Sequence, residues 1–100
     1  MPCFRVMVEG RGIEMPFYGA ATPVVGFFAT RQVSARTIEE AERKVVDTIA
    51  SEWAPDGRFS GANRGRAPTL TVEDSWQVDW TTAWLKFRPR GYSFFLSADD

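Results

Sequence analysis

Gly26-Phe27-Phe28-Ala29-Thr30-Arg31-Gln32-Val33-Ser34-Ala35-Arg36-Thr37-Ile38-Glu39-Glu40-Ala41-Glu42 changes its hydrophobic period partway along, and that change sets the fold class. Up to Ala35 the period is two. Val25, Phe27, Ala29, Val33 and Ala35 alternate with Gly26, Phe28, Thr30, Gln32 and Ser34, as in a strand from Val24 to Ala35 with one buried face. Arg31 falls among the apolar set, so it sits near the end of the sheet or extends its charged head past the core edge. After Arg36 the spacing becomes helical. Thr37 and Glu40 form an S/T-x-x-E capping box: the hydroxyl accepts from a free amide of the first turn and the carboxylate reaches back to the cap residue.

From that cap a long helix is expected to about Trp53. Ile38, Ala41, Val45, Ile49 and Trp53 make one buried stripe, widened by Val46 and Ala50, with Glu39, Arg43, Asp47 and Glu52 turned away from it. Early acids at Glu39, Glu40 and Glu42 suit the positive end of the helix dipole. Pro55-Asp56-Gly57 opposes continuation.

Toward the N-terminus, Phe4, Val6 and Val8 alternate with Cys3, Arg5, Met7 and Glu9 as a first strand, which Gly10-Arg11-Gly12 is read to end. The connection to Pro23 has no clear period and has room for a short extra strand near Ile13 to Phe17. Past the helix, 57–68 carries three glycines and Arg58, Arg64 and Arg66, and reads as an exposed, mobile loop. From Thr69 to Asp79, Leu70, Val72, Trp76 and Val78 are assigned to one face of a third strand, with Asp74 interrupting the set and marking a bulge. A short helical turn is expected at Thr81 to Lys86 and a turn at Phe87 to Gly91. A fourth strand then places Tyr92, Phe94 and Leu96 on one face, and Ala98-Asp99-Asp100 forms a frayed acidic end.

The expected architecture is α+β in two layers: one long helix packed on a four-stranded, mainly antiparallel sheet, in the order β-β-α-β-β. One hundred residues, 44% hydrophobic and 25% charged, make a single domain over 1–100 with its own core.

The formal charge of −1 provides no global attraction to nucleic acid or anionic membranes, although ten of the twelve basic residues are arginine, the better residue for bidentate contacts. Cys3 is the sole cysteine and histidine is absent, which excludes an internal disulfide, thiolate zinc sites and histidine general-base catalysis. The lone thiol fits a reducing, cytoplasmic setting, and no apolar run approaches a membrane span. Glu73, Asp74 and Asp79 are the only clustered carboxylates beyond the helix, and solvation on a strand surface explains them more simply than catalysis. Gly61-Ala-Asn-Arg-Gly65 lacks the Lys-Ser/Thr of a phosphate loop. The reading is a non-catalytic domain without catalytic residues, metal or cofactor.

Gly26-Phe27-Phe28-Ala29-Thr30-Arg31 running into Ile38-Glu39-Glu40-Ala41-Glu42, with the late Gly91-Tyr92-Ser93-Phe94-Phe95, resembles a group of small bacterial proteins of unknown function. That group has a Gly-aromatic-aromatic-x-Thr-Arg strand before an acidic helix, and the resemblance implies the β-β-α-β-β order without an activity. Thr37-Ile38-Glu39-Glu40-Ala41 after a strand is more weakly similar to HicB-type antitoxin domains, whose usual strand pattern and DNA-binding segment do not appear in these residues.

Function is therefore sought on the sheet face opposite the helix, where Met7, Phe28 and Phe95 are apolar. Three covers are considered for them: the chain's own 10–23 or Trp80 to Phe87 segments, a second copy or protein partner, or stacked nucleobases. Self-association through that face leads. The alternatives are single-stranded nucleic-acid binding by Arg58, Arg64, Arg66, Arg88 and Arg90 with the exposed aromatics, and antitoxin-like partner binding.

Overall fold

In a computed structural model, described over residues 2–15, 23–59, 61–79 and 91–96, the chain forms β1 (Cys3–Met15), β2 (Val24–Ser34), α1 (Ile38–Trp53), β3 (Thr69–Val78) and β4 (Tyr92–Leu96). The strands make one sheet in the order β3-β1-β2-β4 with every pairing antiparallel, and α1 packs on one face of it. The expected turns at 81–86 and 87–90, Arg88 and Arg90, and the acidic end lie outside the described residues.

The helix follows its periodic signal. Ala41, Val45, Ile49 and Trp53 are buried, and Thr37 Oγ1 accepts from Glu40 N at 3.1 Å. It has sixteen residues, about 24 Å at 1.5 Å per residue, which is moderate in length. The reciprocal half of the box reaches one residue further back than expected, because Glu40 Oε1 accepts from Arg36 N at 2.7 Å. Lys44 Nζ donates to Ser34 O at 2.9 Å and ties the helix to the end of β2.

The core is the stripe of α1 set against Phe4, Val6 and Val8 of β1 and Phe27 and Ala29 of β2. Phe27 is its centre. Its ring is fully buried and stacks on Trp53 at 5.2 Å, with Tyr92 and Phe94 edge-on at 4.9 and 6.3 Å. Gly10 is its register partner, and a β-carbon there would overlap the Phe27 ring. The glycine thus gives the ring its seat, and the Gly10-Arg11-Gly12 stretch does not end the strand. β1 continues to Met15, turning at Gly12, whose φ of 98° suits glycine.

Three irregularities reassign side chains between the faces, since one extra residue in a strand reverses the alternation beyond it. Past Gly12, Ile13 and Met15 join the core. At Val25 the register with β4 shifts, so Val24 is buried in place of the expected Val25. At Glu73 the register with β1 shifts between Val8↔Val72 and Met7↔Asp74. That bulge was anticipated near Asp74, but its consequence overturns the assignment of Trp76 and Val78 to the helix side. Ser75 now pairs with Val6 and donates to Glu42 of the helix at 2.5 Å, whereas Trp76 pairs with Arg5 on the opposite face.

Of the 57–68 segment, read as an exposed loop, most described residues are exposed, and Phe59 and Asn63 anchor it on the domain. Phe59 N donates to Glu52 O at 2.9 Å and the Phe59 ring stacks on Trp53 at 4.3 Å. Asn63 Oδ1 accepts from Glu14 N and Gly65 N at 2.9 and 3.0 Å, and its Nδ2 donates to Arg66 O. Asparagine suits this bridge because its amide accepts and donates at once.

The cap is open to a direct test. Thr37→Ala removes the acceptor for Glu40 N and is expected to cost about 1 kcal/mol in chemical denaturation at neutral pH. Chiefly through the Arg36 backbone bond, Glu40 is held below its ordinary value of 4.5, so its contribution is present above that value and is lost as pH falls through the folded one. Glu40→Gln should flatten that part of the acid limb.

Candidate interaction face

Cross-strand partners in an antiparallel sheet project to the same side, so the registers define the face opposite α1. Its rows run Trp76, Arg5, Gln32; then Asp74, Met7, Thr30; then Thr71, Glu9, Phe28, Ser93; then Thr69, Arg11, Gly26, Phe95. Met7, Phe28 and Phe95 therefore share the side opposite the helix, and the bulge adds Trp76. Phe28 and Trp76 are 37% and 39% exposed.

Gly26 repeats on this side the device that Gly10 supplies on the other. A β-carbon at Gly26 would overlap the Phe95 ring, so the ring lies down over the backbone and reaches Phe28 at 5.6 Å between centroids. The Arg11 guanidinium carbon sits 5.6 Å from the centre of the Phe95 ring while its Nε bonds Glu9 Oε2 at 2.6 Å. The Arg11 side chain is 70% exposed and that of Glu9 is 13% exposed, so the apolar centre has a charged border. In the first row Arg5 Nε donates to Gln32 Oε1 at 3.0 Å.

The helix side is closed by a different set. Arg31, the charged residue within the apolar alternation, is enclosed at the core edge, its side chain 12% exposed. Its Nη2 meets Glu52 Oε1 and its Nη1 meets Gly91 O, each at 3.3 Å, with Tyr92 beneath it at 5.0 Å. Glu52 had been expected to turn away from the helix stripe. It is instead drawn inward by Arg31 and by the Tyr92 hydroxyl, which donates to the same oxygen. Burial pushes the Tyr92 phenol well above its ordinary value, and the hydrogen bond and charge of Glu52 add to the effect.

Of the arginines proposed from sequence, Arg58, Arg64 and Arg66 are among the described residues and Arg88 and Arg90 are not. Arg58 lies on the aromatic cluster, 4.9 Å from the Phe59 ring centre, Arg64 N donates to Glu14 O at 2.7 Å, and the Arg66 side chain runs beside Gly12. Among the described residues no three histidine, cysteine or acidic side chains gather as metal ligands, and no helix is long and apolar enough to cross a membrane. No family model matches the chain, and no curated protein or solved structure matches it either.

Sequence reasoning overlooked Phe59 and Tyr92 as partners of one cluster. Their signal was available only as isolated aromatics on either side of glycine-rich stretches. Tyr92→Phe removes a donor to a half-buried carboxylate and should cost about 1–2 kcal/mol near neutral pH, read by denaturant midpoint. Because the folded-state value is raised, the Tyr92 contribution is complete below the free phenol's 10.0 and is lost as pH rises toward the folded one. The variant should show a shallower loss of stability above that pH than the parent chain.

Proposed function

We propose that this domain acts through protein contacts made by the sheet face opposite α1, and that its partner is a second copy of itself. The carrying observation is the exposure of Phe28 and Trp76 on the face that also holds Met7 and Phe95. Exposed apolar side chains grouped on one face favour burial against another surface. The charges there support a like partner: Arg5 and Arg11 balance Glu9 and Asp74 among the described residues. A two-fold contact brings a face against itself, and a face with both signs of charge can meet its own copy without net repulsion. The lone thiol, Cys3, is consistent with a cytoplasmic protein.

Single-stranded nucleic acid is the less favoured partner. Of the arginines proposed for it, Arg58 already lies on Phe59 and the Arg66 side chain lies beside Gly12.

Sedimentation at micromolar concentrations is expected to show a dimer in the parent chain. Phe28→Ser should raise the dissociation constant by about 10-fold or more, as loss of a central aromatic costs at least ~1.4 kcal/mol. A monomeric parent chain, or a Phe28→Ser protein that associates as before, would count against the reading. Salt-dependent binding of a mixed oligonucleotide by that monomer would favour the nucleic-acid alternative.

A further inference from the structure

The sheet has two outer strands, β3 and β4, and among the described residues each is paired on one side only. An unpaired edge leaves alternate backbone amides and carbonyls able to bond another strand, and native proteins blunt such edges with charges, proline or a bulge. β3 carries two of these devices. The extra residue Glu73 interrupts its register with β1, and the adjacent carboxylates of Glu73 and Asp74 would meet their own like in a pairing with a second β3. β4 carries neither. Tyr92–Leu96 holds no proline and no charged residue, and the extra residue at its register break, Val25, belongs to β2.

The rings on β4 leave that edge apolar and open. Phe94 is the register partner of Phe27 and so projects to the helix side, but α1 packs chiefly on β3, β1 and β2. On the outermost strand Phe94 stays 38% exposed, touching Tyr92 and Phe59 at 5.5 and 6.1 Å between ring centres. On the other side Phe95 lies inward over Gly26 and does not cross the edge.

We propose that the outer edge of β4 pairs antiparallel with β4 of a second copy, about a two-fold axis at Phe94. The two four-stranded sheets then join into one of eight strands. Phe94 of each chain faces Phe94 of the other on the helix side, a cross-strand aromatic pair that covers both rings, and no like charges meet along the strand. The occupant is a second copy because the contact needs an uncharged, self-complementary edge, which β4 supplies and β3 does not. It goes beyond the sheet-face contact proposed above and does not require it: the edge axis runs through the sheet, whereas a face axis lies along it.

The test follows the mass of the full chain by sedimentation equilibrium from micromolar to millimolar concentrations. The expected result is a twofold rise in mass that depends on residue 94. Phe94→Lys and Phe94→Glu each set like charges opposite one another across the axis, and each alone should raise the dissociation constant of this step by about 10-fold or more. An equimolar mixture of the two should restore it. No rise in mass in the parent chain, undiminished association of either single variant, or a mixture no tighter than its components overturns the edge contact. If a variant fails to fold, amide exchange in the parent chain decides: alternate β4 amides should exchange more slowly as concentration rises, and exchange independent of concentration overturns the contact. Phe28→Ser in the same series separates the two contacts. A step that it removes belongs to the sheet face, and a step that survives it but is lost in Phe94→Lys belongs to the β4 edge.

Discussion

The seating of Phe27 on Gly10 is the contact from which the other packing follows. The ring lies where the β-carbon of residue 10 would be, fully buried, and so occupies the space between the sheet and the last turn of α1. Trp53 stacks on it from the helix, Tyr92 and Phe94 meet it from β4, and Phe59 closes over Trp53 from the segment that follows the helix. Three stretches remote in sequence are thereby fixed by one side chain. Glycine within a strand costs about 0.5–1 kcal/mol, but burying a phenylalanine is worth about 1.5–3 kcal/mol and each ring pair adds about 0.5–1.5 kcal/mol, so the seat is favourable on balance.

The same substitution of ring for β-carbon at Gly26 and Phe95 explains why the far face is not flat and polar. With α1 and the aromatic cluster closing one side, Phe28, Phe95, Met7 and Trp76 collect on the other, bordered by Arg11 and Glu9. The two sides treat their arginines differently. Arg31 is enclosed by Glu52, backbone carbonyls and Tyr92, which makes it part of the scaffold. Arg5, on the side that the helix does not cover, is held through Nε by Gln32.

Element order and the helix were legible in the sequence because their signals are local. Thr37, Glu40 and the Ala41-Val45-Ile49-Trp53 stripe each act within a few residues. Face assignment was legible only as far as the alternation ran unbroken, which is why Phe4, Val6, Val8, Phe27 and Phe28 were placed correctly. Beyond Gly12, Val25 and Glu73 the faces exchange where the register breaks, with two added residues in β1 between Arg11 and Met15 and one at each of the other two places, and the position of such a break depends on the partner strand. Trp76 and Val78 were misplaced for that reason. Asn63, Glu52 and Tyr92 were out of reach because their partners lie 21 to 49 residues away. Of the candidate interface, Met7, Phe28 and Phe95 could be read from period two, whereas Arg5 and Trp76 emerge as neighbours only once the β3 register is known.

Equilibrium denaturation of Gly10→Ala tests the central packing claim most directly. Replacing glycine in an ordinary strand position is neutral or stabilising by a few tenths to about 1 kcal/mol. Here the added methyl meets the Phe27 ring, and the expected result is destabilisation by about 1–3 kcal/mol, with the Trp53 environment altered in near-ultraviolet circular dichroism. A Gly10→Ala protein as stable as the parent, with an unchanged aromatic spectrum, would contradict the account.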